Sequence, residues 1–235
     1  NKRSTETRKI DNFAYQYPKI FATQVNRAKA VFITEPALVN QIKNKQIQCY
    51  PVYHGLKKNY ISISFEEKDS WIEANQEGCD FFVFHVSETT KAQVLPMLKA
   101  FSSFKKWTES TMKLVLLLHC PFTDNDIPRF NLYKFRKEIE FVNFIEDATA
   151  APLYAAAFLH IYLPNTFADE NFALHALQTK TALLTTDKEN QKQRFGLAAA
   201  YCELTEKAIS EKLLYYYKND FEKDRLIAAA DSVLE

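Results

Sequence analysis

The residues best placed for chemistry lie between Pro164 and Asp187, in the stretch PNTFADENFALHALQTKTALLTTD. Glu170 stands where a helix would begin, and Phe172, Leu174 and Leu177 follow along one side of it. The β-branched run Thr181 to Thr186 then reads as a strand. In an open parallel sheet such a loop and helix start would face a ligand phosphate, because the first N–H groups of a helix are unpaired and carry partial positive charge. His85 and His119 each fall at the expected C-terminal end of a strand. Open α/β sheets bind ligands at that edge, so both are candidate donors, with core packing as the alternative.

Elements with the right periods are available to position these groups. Phe81 to Val86 is an apolar run, and Val94, Met97, Leu98, Phe101 and Phe104 follow it at helical spacing. Pro96 falls in the first turn of that helix, where it is tolerated. Met112 to His119 is a second continuous apolar run, as expected of a strand covered on both faces. Ile139 to Ile145, Leu159 to Leu163, Thr181 to Thr186 and Ala199 to Glu203 read as further strands, with a helix over Thr149 to Ala157. Two amphipathic helices, 205–217 and 219–235, close the chain. Strands alternating with helices at these intervals predict an α/β, doubly wound parallel sheet of Rossmann-like type.

The N-terminal part is organised separately. Residues 18–29 and 35–44 have helical spacing, and Ala30 to Thr34 and Ile47 to Tyr53 read as strands joined in parallel. This unit is too small for a domain and is expected to be the edge of a larger one. Residues 55–79 turn polar and charged, with one amphipathic segment around Trp71 and Ile72, and read as a connector.

Composition narrows the classes. The 235 residues are 47% hydrophobic and 14% aromatic, enough for a substantial core. A formal net charge of +1 gives no reason to expect nucleic acid as partner. Cys49, Cys79, Cys120 and Cys202 have no zinc or redox spacing and are expected to be buried thiols; no metal site is predicted. No apolar run approaches the roughly 18 residues of a membrane helix and no signal core opens the chain, so a cytoplasmic location is expected. Only three glycines occur, where average usage of about 7% would give roughly sixteen. Glycine lets backbone approach a phosphate closely.

The order of segments resembles the C-terminal half of GT-B glycosyltransferases, specifically the retaining family 4 (glycosyl transferases group 1). AQVLPMLKAF, Ala92 to Phe101, is similar to that family's KNIxxLLKAF helix. IEFVNFI followed by LYAAA resembles its V-x-F-x-G-x-V … L-Y-x-x-A, with Asn143 in place of the glycine. Pro164 … ENFALHALQT resembles P-S-x-x-E-G-F-G-x-P-x-x-E-A, and Gly196 to Tyr201 resembles G-x-A-A-x-Y. Tyr50 to Leu56 resembles the V-I-P-N-G-V turn that ends the N-terminal half.

The resemblance implies three parts: residues 1–60 as the end of an N-terminal GT-B domain, 61–79 as connector, and 80–235 as the nucleotide-sugar-binding domain. It implies a nucleotide-sugar donor as substrate, an unknown acceptor and no resident cofactor. It leaves room for peripheral membrane association through a missing N-terminal domain. The family's cationic pair falls on Lys91 and Ala92, and its loop glycine on Val86, or on His85 if the register slips by one. Its two glutamates, which reach the donor sugar and the ribose hydroxyls, fall on Glu170 and Gln178. The Gly-Phe-Gly between them has become Asn171, Phe172 and Ala173. Cβ atoms there would obstruct a phosphate, and Glu170 could instead simply stabilise a helix N-terminus. Three readings follow: a retaining glycosyltransferase, a non-catalytic scaffold derived from one, and an unrelated doubly wound binding domain.

Overall fold

The computed structural model describes residues 27–33, 47–51, 55–143, 146–165 and 171–234. The expected helix over 35–44, most of that over 18–29, the end of the expected strand Ile47 to Tyr53 and Glu170 lie outside them. The chain divides into two compact units, 1–55 and 56–235.

In the first unit, β1 (Ala30–Ile33) and β2 (Gln48–Pro51) pair in parallel, with Ala30 opposite Gln48. This matches the strand, helix, strand reading of the sequence at its two strands.

The second unit is built on six parallel strands: β3 (Phe81–Val86), β4 (Lys113–Leu118), β5 (Ile139–Asn143), β6 (Leu159–Tyr162), β7 (Leu183–Thr186) and β8 (Ala199–Cys202). They lie in the order β5-β4-β3-β6-β7-β8. Chain order therefore reverses between β3 and β6, the topological switch point of a doubly wound sheet.

Both faces are covered, which is why the central strands read as unbroken apolar runs. Alternate residues Phe82, Phe84 and Val86 pack with Leu114, Leu116 and Leu118 against α2 (Val94–Thr108), whose Met97, Phe101 and Phe104 are fully buried. Phe81, Val83, Val115 and Leu117 face the other way, onto α3 (Asp147–Ala156) through Ala150, Leu153 and Tyr154.

The expected connector 61–79 contains a three-turn helix, α1 (Phe65–Gln76), packed on α3 within the second unit. Its start carries a capping box: Ser64 N–H donates to Glu67 Oε2 at 2.8 Å, and Glu67 N–H donates to Ser64 Oγ at 3.2 Å. Its end is turned by Glu77 and Gly78, both at positive φ.

The remaining helices are α4 (Phe172–Gln178), α5 (Glu189–Phe195), α6 (Glu206–Lys218), α7 (Asp220–Ala229) and α8 (Asp231–Leu234). Sequence periodicity offers no counterpart for α5, and it runs α7 and α8 together. Of the cysteines expected to be buried, only Cys202 is; Cys49, Cys79 and Cys120 are partly exposed thiols.

Candidate functional site

The sheet edge at the C-terminal ends of β3 and β6 is where a doubly wound fold leaves a crevice. On the β3 side its wall is the loop Ser87 to Lys91, which closes on itself through hydroxyls. Ser87 N–H donates to Thr90 Oγ1 at 2.8 Å, while the Thr90 hydroxyl donates to His85 O at 2.6 Å. Thr90 and Lys91 N–H both donate to Ser87 O, and Thr89 N–H donates to Ser87 Oγ. Four backbone donors of the loop are thus used within it. A phosphate cradle needs such groups pointing outward. Lys91 Nζ is ion-paired with Glu88, and that hydrogen bond raises the lysine's pKa.

Behind the loop lies a group of imidazoles that nothing in the linear sequence places together. His85, in β3, is fully buried. Its Nδ1 lies 3.1 Å from His119 Nε2 and its Nε2 lies 3.0 Å from His160 Nδ1. His160 Nε2 in turn lies 3.0 Å from the carbonyl oxygen of Tyr154.

A carbonyl can only accept, so His160 carries its proton on Nε2 and, as a neutral ring, accepts at Nδ1. His85 must then donate from Nε2 and accept at Nδ1, and His119 donates from Nε2. One backbone carbonyl fixes three tautomers. Tyr154 Oη stands 3.4 Å from His85 Nδ1 as a second donor to that atom.

Burial keeps all three rings neutral. It holds His119 down at about 3 and His160 down at about 4, the latter against the opposing effect of its bond to Tyr154 O. His85 is pushed well below the usual imidazole range, first by burial and then by its neighbours His160, His119 and His175.

Phe172, the first residue of α4, lies flat over this group. Its ring is 3.6 Å from His119 between centroids at 19°, and 5.4 Å from His85 at 3°. Tyr162 meets it edge-on at 6.1 Å. On the far side of Tyr154, buried His175 stacks on Tyr60 at 3.8 Å. Tyr60 Oη donates to Asp147 Oδ1 at 3.0 Å, and Lys57 Nζ donates to both Asp147 oxygens at 2.8 Å.

The residues expected at the site are therefore dispersed in role. His85, His119 and Phe172 are brought together. Lys91 is exposed on the loop beside them, tied to Glu88. Asn171 immediately precedes α4, its buried Oδ1 meeting no donor among the described residues. Gln178 closes the other end of that helix and donates from Nε2 to Lys57 O at 3.0 Å, which fastens the segment entering α1. Val86, expected at the loop glycine, points into the core. Asn143 is exposed at the end of β5, two strands from the crevice.

His160, Tyr154, Tyr60 and Asp147 join the group without any motif in the sequence to mark them. One signal was legible: His85 and His160 occupy the strand positions that alternate with the core face of Phe84 and Ile161. Among the described residues, no group of three or more His, Cys, Asp or Glu side chains could hold a metal ion. No described helix is long and apolar enough to cross a membrane.

No family model matches the sequence, and no curated protein matches it. The fold has solved counterparts. Anabaena HepE, solved with UDP and glucose, superposes at a TM-score of 0.76 with 12% identity, covering 95% of this chain and 63% of that one. Sucrose-phosphate synthase from Thermosynechococcus elongatus gives 0.68 at 12% identity, over 92% of this chain and 55% of the other. The C-terminal domain of LpcC, a glycosyl transferase group 1 family protein from Francisella tularensis, gives 0.62 at 13%, over 77% of this chain and 96% of that domain.

The fold is that of the GT-B glycosyltransferases, and the second unit is its Rossmann-like C-terminal half. The chain spans about 63% of the HepE chain.

Proposed function

We propose that this chain is a glycosyltransferase-like protein that binds a nucleotide-activated sugar at the crevice between the ends of β3 and β6. The observation that carries the reading is the reversal of strand order there, in a fold shared with HepE, a protein solved with UDP-glucose. In retaining transfer, the bond from the anomeric carbon to the diphosphate breaks and one to an acceptor oxygen forms on the same face. Negative charge grows on the leaving phosphate and needs cations or N–H donors.

Lys91 is the proposed cation and Glu170 the proposed partner of the sugar hydroxyls, while Gln178 would reach a ribose hydroxyl only by releasing Lys57 O. Residues 80–235 are proposed as the donor domain, 61–79 as its connection and 1–60 as the end of an N-terminal half. The proposed setting is cytoplasmic. Calorimetry with UDP, GDP, ADP and their sugars is expected to give micromolar binding of at least one.

A second reading, a non-catalytic scaffold, is favoured by the Lys91–Glu88 pair and the hydroxyl-closed loop. Absence of heat with every nucleotide would select it.

A further inference from the structure

We propose that the imidazoles of His85 and His119 form a seat for a flat, uncharged ring, and that Phe172 occupies this seat as a built-in plug that an incoming nucleobase must displace. The nature of the incoming ring rests on the nucleotide reading above; the seat and the plug do not.

The two imidazoles are joined by a 3.1 Å hydrogen bond and lie within 19° of parallel, so together they present a broad aromatic floor. The Phe172 ring lies nearly parallel to both and closes on His119 to 3.6 Å. Tyr162 supplies an edge against it. These contacts come from β3 and β6, the strands that flank the switch point, and from the residue following β4. A single side chain therefore spans the crevice that the fold leaves for a ligand.

The fixed tautomer chain keeps the floor neutral, which suits a flat ring without charge and gives an anion nothing to pair with. Phe172 is itself only partly buried and belongs to a seven-residue helix. Its ring can leave by side-chain rotation without unfolding a long element.

The test titrates the wild type, Phe172→Ala and Phe172→Leu with UDP and, separately, with indole, by calorimetry near neutral pH. Indole is expected to bind Phe172→Ala and not the wild type. UDP is expected to bind Phe172→Ala at least tenfold more tightly than wild type, with Phe172→Leu between them. Leucine keeps an apolar side chain but cannot stack, so it decides the matter if the alanine variant fails to fold.

Uptake of indole with no UDP binding by any variant would support the seat and its plug while removing the nucleotide reading. Equal UDP affinity in all three proteins would overturn the plug and leave the nucleotide reading in place. Folded variants that take up neither ligand would overturn the seat itself.

Discussion

His160 donates its Nε2 proton to the carbonyl oxygen of Tyr154 across 3.0 Å, and this one contact orders the protons of three imidazoles, those of His85 and His160 buried and that of His119 partly so. An imidazolium inside the chain would have two N–H groups and would turn one donor against another. The folded protein therefore holds His85 and His160, which both accept within the chain, neutral by geometry as well as by burial, and His119, which only donates in it, by burial.

Acid should destabilise the protein well above the carboxylate range. An unfolded histidine takes up a proton near pH 6.5, whereas burial keeps folded His119 neutral to about 3 and His160 to about 4. Between those limits the unfolded chain binds more protons, so stability falls as pH falls. Each histidine contributes a slope of about 1.4 kcal/mol per pH unit. Urea midpoints at pH 7.5, 6 and 5 are expected to drop steadily, with an apparent uptake approaching three protons on unfolding at pH 5. Asp147 is held below its usual range, chiefly by Lys57, and acts in a separate window. Its contribution is present above the unfolded carboxylate value and lost below it. Stability unchanged from pH 7 to 5 would sink the assignment.

Asp147 tests the anchoring of the segment before α1. Its pair with Lys57 is partly solvent-exposed, with side-chain exposures of 29% and 43%, and such pairs contribute about 0–1 kcal/mol. The hydroxyl of Tyr60, a residue 2% exposed, also donates to Asp147, through a part-buried bond. Asp147→Ala removes its acceptor and should cost about 1–3 kcal/mol, whereas Asp147→Asn keeps an oxygen there and should cost less than about 1. Equal losses in chemical denaturation would assign the effect to the ion pair instead.

Why the sheet was legible and the imidazole group was not follows from sequence distance. Phe81 to Val86 and Met112 to His119 announced buried strands because residues in a doubly covered sheet are apolar on both faces, and β3 and β4 fall inside those runs. His85, His119 and His160 are 34 and 41 residues apart, and only the strand order β4-β3-β6 makes them neighbours. Helix α1 was legible in principle, since Ser64 and Glu67 have capping-box spacing, but its low apolar content reads as a connector. Gln178 shows the limit of motif register: it ends α4, and its amide reaches Lys57.

Lys105 should be a strong stability determinant away from the crevice. Only 5% of its side chain is exposed, and its ammonium donates to Ser110 O and Met112 O and pairs with Glu138. All three donors are used where β4 begins. Lys105→Ala would leave two carbonyls and a carboxylate without their partner, an expected cost of about 2–4 kcal/mol. Glu138→Gln retains an acceptor and should cost less. A loss below about 1 kcal/mol for Lys105→Ala, measured by urea unfolding, would mean that water replaces the ammonium.

Glu88 is where the glycosyltransferase-like reading can be gained rather than lost. Its carboxylate neutralises Lys91, the one cation that the resemblance places at the donor diphosphate. Both side chains are about half exposed, at 54% and 46%, so breaking the pair should leave the melting temperature unchanged. Glu88→Gln would free the ammonium and remove a negative charge from the approach to the crevice. A gain of roughly fivefold in UDP affinity is expected at low salt. The gain should shrink as ionic strength rises, because exposed charges are screened within about 10 Å at 0.1 M salt. Lys91→Ala should reverse the gain in the Glu88→Gln background and change little in the wild type, where the lysine is already engaged. UDP binding that ignores both substitutions would place the diphosphate elsewhere along the sheet edge and remove Lys91 from the site.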